Sequence, residues 1–576
     1  MNKNLIRLAV VSFIAVSIPF SPAADDTRLT FDHYYDGPAV LEALQYLNRT
    51  YSDYTELRSI GQSEEGRDIW LFTINNPVTG RDTDKPGIYV DGTIHGNEIQ
   101  AAEVCLYVAN YLLTSYDTIP AIKELVDNRS FYIIPIVNVD NRARFFEDAA
   151  SYSIGRTARV PFDDDRDGLA DEDPDEDIDG DGEILQMRIK DPFGDRKSHP
   201  DDPRVMIRTE PGELGEWRVL GREGIDNDND GRLNEDGPGY LDMNRNYGFK
   251  WQPPYVQGGA GEFPMSARVN KAIADFVITK PNICFDFAFH NSGGLIVRGP
   301  GSKLAGHYPS SDVAVYDFLG EEGEKILPGY RYIIGGQDMY TTHGDFDEFM
   351  FSNLGIFGFV GELFMGSQER YPSDTGRGGD ESYPRGRRET SKQKFSDNLT
   401  QGTMFRDWKE FDHPQYGKIE IGGWRPYSSR IGQPFLLPEM CHRNASLVLF
   451  TARHAPDITL ELLEVKDIGN GLRRVRVRAS NENAIPSLSQ NAVRRKIYRK
   501  DMLTIAGSGI EVVSGGTVDD LVFDRVDYVD HRPERIFTSI PSFGKRDIQW
   551  IVRGRGRATV TYDAIKAGNQ SLTIDL

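Results

Sequence analysis

Asp91-Gly-Thr-Ile-His-Gly-Asn-Glu98 is the stretch from which the fold is read. Before it, Gly87-Ile-Tyr-Val90 has the apolar, β-branched texture of a short buried strand. After it, Ile99, Ala102, Leu106, Ala109 and Leu113 recur at helical spacing. His95 and Glu98 therefore sit where a strand gives way to a helix, the edge at which open α/β sheets place their chemistry. An imidazole nitrogen and a carboxylate oxygen three residues apart can converge on one cation. Two His and one Glu with one position left open form a catalytic zinc pattern. Taken alone, the motif fits equally a His and a Glu at a helix start, where the dipole favours the acid.

The rest of the chain repeats the arrangement. Ile69 to Ile74 alternates like a strand, and Phe131 to Val137 reads as a buried one ending in Asn138-Val-Asp140. Pro135 points to an edge or irregular position there. Asn282 to Phe289 is a third buried run and ends at His290; Gly355 to Val360 is a fourth and delivers Glu362. Val40 to Leu47, Ala267 to Val277 and Asp312 to Ile326 have helical spacing. Strands alternating with helices imply an α/β fold with a mixed, mostly parallel sheet covered on both faces. Apolar runs that finish in His95 with Glu98, then His290, then Glu362 point to one shared site more strongly than any single run does.

With 576 residues, 39% hydrophobic and 11% aromatic, the chain is globular and long enough for a large core. A net charge of -22 excludes nucleic acid as a natural partner, because phosphate is repelled. Residues 1–23 have the pattern of a signal peptide: Lys3 and Arg7, an apolar run from Leu8 to Phe20, then Ser21-Pro-Ala23. No second long apolar run follows, so a secreted or periplasmic protein without a membrane span is expected. Three cysteines rule out a disulfide framework; Cys105 and Cys284 lie in apolar runs as small hydrophobes. Oligomeric state is not readable.

Residues 161–237 interrupt the α/β texture with an acidic insertion. Asp163, Asp165 and Asp167 precede Gly168; Asp177, Asp179 and Asp181 precede Gly182; Asp226, Asp228 and Asp230 precede Gly231. Carboxylates at positions one, three and five with Gly at six are the first half of a calcium loop. Pro174, Arg188 and Gly237 stand where such a loop has its closing Glu, so further ligands have to come from elsewhere, such as Asp171, Asp173 or Asp236. Structural calcium is expected; a solvated acidic loop is the alternative. Residues 366–395 read as a long surface loop and Pro438 to Ala455 as a late helix. Beyond residue 456 short alternating runs (459–465, 473–478, 510–513, 535–540, 548–553, 557–562) suggest an antiparallel β-sandwich. This divides the chain into residues 24–455, with the insertion, and a β domain over 456–576 that buttresses it.

Several motifs in order resemble the zinc metallocarboxypeptidases, or funnelins, over most of residues 30–365. His95-Gly-Asn-Glu98 is similar to the first zinc motif of the regulatory carboxypeptidase branch. Ile136-Val-Asn-Val-Asp140 resembles the family's N-P-D-G without its Pro and Gly. Leu241-Asp-Met-Asn-Arg-Asn246 resembles D-x-N-R-N, Phe289-His-Asn-Ser292 the second zinc motif, and the interval from Tyr340 to Glu362 the family's tyrosine-to-glutamate gap. The resemblance implies a peptide-cleaving hydrolase. It implies zinc on His95, Glu98 and His290, Glu362 as general base, and Asn244, Arg245 and Tyr340 binding the substrate. Asp242 is implied to orient His95. The oxyanion arginine is implied to be Arg156, in Gly155-Arg-Thr-Ala-Arg159, or Arg188. Asp347 falls where an acid marks preference for a basic C-terminal residue. Two other classes stay open: a peptidoglycan amidase or γ-glutamyl peptidase on the same scaffold, and a non-catalytic, calcium-stabilised binding protein.

Overall fold

A computed structural model of the chain describes residues 29–147, 155–163, 166–365 and 387–576. The expected signal segment lies outside them. The helix Gly37–Thr50 opens the fold, with the Asp36 carboxylate accepting from the Ala39 N–H as its cap. Strands β1 (Thr55–Gln62) and β2 (Asp68–Ile74) form a hairpin. Strand β3 (Gly87–Gly92) leads into the helix Gln100–Thr114, and β4 (Ser130–Ile134) into the helix Val139–Glu147. Four strands of the insertion follow: β5 (Gln186–Lys190), β6 (Arg196–His199), β7 (Asp202–Arg208) and β8 (Trp217–Arg222). The helix Arg268–Ile278 then returns to β9 (Ile283–Asn291) and β10 (Leu295–Arg298). After the helix Ser310–Ile326 come β11 (Arg331–Ile334) and β12 (Phe357–Leu363).

These strands build one mixed, eight-stranded sheet in the order β1-β2-β4-β3-β9-β12-β10-β11. Its centre is parallel: β3 pairs in parallel with β4 and β9, and β9 with β12. Both faces are covered, which is why the central strands are buried at every position rather than at alternate ones. Ile88 and Val90 of β3 pack with Phe285 and Phe287 of β9 and with Val104 and Leu106 of the helix Gln100–Thr114. Tyr89, between them, faces the opposite way with Ile273 and Val277 of the helix Arg268–Ile278. Pro135 does not mark an edge strand. Strand β4 is internal and ends at Ile134, so Pro135 falls just beyond the ladder, where its missing N–H removes no sheet bond.

The insertion is more than loops. Strands β5 to β8 combine with a later hairpin, β13 (Phe405–His413) and β14 (Gly417–Trp424), in a second sheet of order β13-β14-β5-β8-β6-β7. Part of the stretch expected to be a surface loop, Arg387–Leu399, is helical; residues 366–386 lie outside the described residues. The expected late helix is Leu437–Arg453. All three cysteines are buried and free.

The C-terminal region forms two antiparallel sheets. The first runs through β15 (Ile458–Gly469), β16 (Leu472–Asn481), β18 (Ile510–Asp520), β19 (Arg525–Tyr528) and β21 (Gly544–Gly554). The second holds β17 (Asp501–Gly507), β20 (Arg535–Thr538), β22 (Arg557–Asp563) and β23 (Asn569–Asp575). Val475, Val477 and Trp550 of one sheet share a core with Leu503, Val560 and Tyr562 of the other, as a sandwich requires. This region is bonded to the first. The Asp312 carboxylate accepts from the Gln490 and Asn491 N–H groups, and the Asn491 amide donates to the Phe351 carbonyl. Among the described residues no helix is long and apolar enough to cross a membrane.

At the same junction Lys566 is buried and donates to the Ile283 carbonyl at the start of β9. Burial pushes its ammonium down to about 7. An unfolded Lys keeps its proton up to about 10.4, so between those values the unfolded chain binds the extra proton and stability rises with pH. Wild-type stability relative to Lys566→Met should therefore climb between pH 7 and 9, by at most about 1.4 kcal/mol per pH unit. Parallel thermal unfolding of the two proteins across that range checks it.

Candidate active site

The turn after β3 is held by backbone and by one amide. The Val137 and Asn138 N–H groups donate to the Gly92 and Thr93 carbonyls, and the Gly96 N–H donates to the Arg156 carbonyl. The Asn138 side chain donates to the Ile94 carbonyl, 3.2 Å, and to the Arg156 carbonyl, 3.4 Å. Asn138 thus fastens the His95 turn to the segment carrying Arg156. Asp140 faces elsewhere, where its carboxylate accepts from the Ser63 hydroxyl and pairs with Arg67. Gly96 is required for close approach. A Cβ there would stand 2.3 Å from the Asn141 Cβ and 2.5 Å from the Gly155 carbonyl oxygen.

His95, Glu98 and His290 meet, each 3% exposed or less. The two Nδ1 atoms are 3.2 Å apart. Glu98 Oε1 lies 3.1 Å from His95 Nδ1, and Oε2 lies 2.9 Å from His290 Nδ1. Glu98 Oε2 nevertheless has no hydrogen-bond donor among the described residues. His95 turns its Nε2 to the Asp242 carboxylate, 3.1 Å, which places the proton there and leaves Nδ1 as a lone pair. Lone pairs gathered this closely repel unless a cation stands between them. Zinc bonds of 2.0–2.1 Å in a tetrahedron hold ligand atoms about 3.3 Å apart, so the donor set fits zinc in both chemistry and spacing.

Charge follows the same logic. Burial opposes ionisation of Glu98, but His95, His290 and Arg156 outweigh it and hold the carboxyl well below its usual range. Asp242 is likewise held low against burial by His95 and Arg245. Glu362 sits opposite His290 in the β9–β12 register. Burial and the Glu98 charge push it up to about 7, against His290, Arg156 and Arg430.

A pocket opens beside these residues, lined among others by His95, Arg156, Asn244, Arg245, His290, Tyr340 and Glu362. The Asn244 side-chain oxygen, Oδ1, accepts from the Phe346 N–H, which turns its amide nitrogen away from that bond. Arg245 Nη1 donates to the Asn244 carbonyl, and its guanidinium lies 6.0 Å from the Tyr340 ring centre. It forms no salt bridge among the described residues, and its Nη2 donates to the Tyr340 hydroxyl, 3.5 Å. Tyr340 stands at the rim, 54% exposed. Arg156 Nη1 donates to Glu98 Oε1, 2.7 Å. Asp347 lies half-buried in the pocket lining, where desolvation and its neighbours Asp345 and Glu348 push its carboxyl well up.

Arg188 is not part of this site. Strand β5 carries it into the insertion's sheet, where its guanidinium lies between the Trp217 and Trp408 rings, 3.9 Å from each, and pairs with Glu420. Other residues that line or touch the site are not marked by the sequence. Arg298, Thr342 and Asp345 line the pocket, and Arg430 Nη1 lies 3.3 Å from Glu98 Oε1. None belongs to a motif. Arg430 arrives from a loop 332 residues from Glu98 in sequence.

The acidic insertion regroups its carboxylates across the expected loops. Asp167, Glu172 and Asp228 form one cluster, Asp173, Asp226 and Asp228 another. Asp177 and Asp179 gather with Glu223, and Asp228 and Asp230 with Glu235. Asp163 instead caps its own turn, accepting from the N–H groups of Arg166, Asp167 and Gly168. Asp181 accepts from the Glu183 N–H, and Asp165 lies outside the described residues.

Residues 40–166 match the family model described as Zinc carboxypeptidase, and residues 457–575 match one described as Domain of unknown function (DUF8731). Carboxypeptidase D of Homo sapiens is 32% identical over 135 residues, 23% of this chain and 10% of that protein. The Zinc carboxypeptidase of Saccharothrix mutabilis subsp. capreolus is 36% identical over 103 residues, 17% of this chain and 23% of its own. Carboxypeptidase M of Mus musculus is 30% identical over 125 residues, 22% of this chain and 28% of its own. The chain thus spans less than a third of the length of these relatives. Among solved structures, the carboxypeptidase A from Helicoverpa armigera aligns at 17% identity and TM-score 0.40, over 58% of this chain and 66% of its own. The family match takes in His95, Glu98 and Arg156; His290 and Glu362 lie beyond it and join the site only through the fold.

Overpacking the turn is the sharpest local test of this geometry. Gly96→Ala should lower stability by about 1–3 kcal/mol. Because the strain falls between His95 and Glu98, bound zinc measured by atomic absorption should fall as well. Wild-type stability and metal content in this variant would contradict the close approach.

Proposed function

We propose that this chain, whose residues 40–166 carry a zinc carboxypeptidase domain, is a zinc-dependent metallocarboxypeptidase that removes residues from peptide C-termini. The observation that carries the reading is that His95, Glu98 and His290 crowd around one point with Glu362 in register beside them. Zinc held by the three supplies an acidified water and polarises the scissile carbonyl. Glu362, ionised, accepts the proton of the attacking water and hands it to the leaving amine. Arg156 keeps N–H groups beyond the one given to Glu98, and these stabilise the developing oxyanion. Arg245 grips the terminal carboxylate through its planar fork, Asn244 adds an amide donor, and Tyr340 closes over the bound residue from the rim. Asp242 holds His95 in the tautomer that presents Nδ1. The pocket acids Asp345 and Asp347 favour a basic C-terminal side chain, although Arg298 shares the pocket with them.

Residues 24–455 are read as the catalytic unit and 456–576 as its β buttress, in keeping with the bonds that Asp312, Phe351 and Ile283 make with Asn491 and Lys566. The leader pattern of residues 1–23 supports export.

Peptides ending in Lys, Leu or Glu, and a muropeptide, should be assayed side by side. The wild type should cleave the free-carboxylate peptides, Lys fastest. Glu362→Gln should lower kcat by about 10²–10⁴-fold with zinc content unchanged. A wild type that turns over the muropeptide alone, or nothing at all, would sink the reading.

A further inference from the structure

Outside the pocket, Glu223 is one of the buried carboxylates with an oxygen left unpartnered among the described residues. Glu223 directly follows β8, and its N–H donates to the Leu185 carbonyl, which places it opposite the end of the Asp177–Gly182 loop. Its Oε1 accepts from the Leu185 N–H, 2.7 Å. Its Oε2 has no hydrogen-bond partner among the described residues, and the residue is 0% exposed. A carboxylate oxygen of Glu223 lies within 4.8 Å of ligand oxygens from Asp177 and Asp179. Arg406 and Arg425 both pair with Glu183, and Lys409 is a cation whose charge reaches Asp179.

The loop is curled to present those oxygens. The Gly180 and Asp181 N–H groups donate to Asp177 Oδ1, and the Gly182 N–H to Asp177 Oδ2. Gly180 and Gly182 take φ of +73° and +86°, which a side chain resists. In a calcium loop of this spacing, the acid that closes the cage comes from position twelve, where this chain has Arg188. Here the β5–β8 register, Gln186 opposite Arg222, brings a Glu to the loop from the neighbouring strand instead.

We propose that Asp177, Asp179 and Glu223 hold one calcium ion, with Glu223 supplying in trans along the sheet the ligand that the loop itself lacks. A buried half-bonded carboxylate facing two others is costly without a cation and favourable with one. An all-oxygen set rules against zinc, and ligands drawn from a loop and a separate strand suit the larger, geometrically tolerant calcium better than magnesium. The ion would pin the acidic loop to the insertion's sheet.

The test uses the full chain, stripped of divalent ions with chelator, reloaded with zinc and titrated with calcium by calorimetry. Glu223→Gln keeps the acceptor for Leu185 and removes the charge. It should bind one calcium fewer than the wild type, and so should Asp179→Asn, on the partly exposed loop. The calcium-dependent rise in melting temperature should shrink in both, while the ion-free Gln variant melts no lower than the ion-free wild type. Should Glu223→Gln fail to fold, Asp179→Asn decides by itself. Wild-type calcium number and affinity in the variants, or equal stabilisation of the wild type by magnesium, would overturn the proposal.

Discussion

Three buried electron-pair donors, two imidazole Nδ1 atoms and a glutamate, stand 2.9–3.2 Å apart with too few protons between them. The rest of the structure is arranged to make that crowding possible. His95 and Glu98 come from the turn after β3, and His290 from the end of β9, its parallel neighbour. The close packing of β3 on β9 brings the ligands together, and packing on both faces of the sheet keeps the strands from relaxing apart. Asn138 and Gly96 then set the height of the turn, the first by bonding it to the Arg156 segment and the second by leaving room for Asn141.

Around this centre the pocket is polar and of mixed sign. Arg156 and Arg430 approach Glu98, while Asp345 and Asp347 lie near Arg245. Cations beside the metal-binding carboxylate keep it ionised. Burial does the opposite to Glu362, aided by the Glu98 charge, and to Asp347, aided by Asp345 and Glu348. The same residue type is therefore tuned in opposite directions within one cavity, according to which charges face it.

The insertion and the C-terminal sandwich serve this core from outside. The insertion's sheet is completed by the hairpin at residues 405–424, so the two parts fold as one body. Glu183 and Arg406 pair across this junction although they stand 223 positions apart and the chain passes through β9 to β12 between them. Arg188 illustrates why sequence distance misleads here. By order along the chain it was a candidate for the oxyanion, yet stacking between two tryptophans fixes it as part of this sheet's packing.

By itself the sequence determined the strand-turn-helix around His95 and Glu98, the central apolar strands, the late helix and the sandwich texture. Each of these is written in spacing over a few residues, where the period of side chains along one element decides burial. It did not determine the strands at 186–222, whose polar runs such as Arg196-Lys-Ser-His199 are half-buried throughout and form only through pairing. Nor did it determine the helix Arg387–Leu399, which has almost no apolar periodicity. Tertiary structure alone chose Arg156 over Arg188 beside Glu98, brought Arg430 to the same carboxylate and set Glu223 against Asp177 and Asp179. Those choices depend on register between strands and on loops meeting across the sheet, and a one-residue shift in register would turn each side chain to the opposite face.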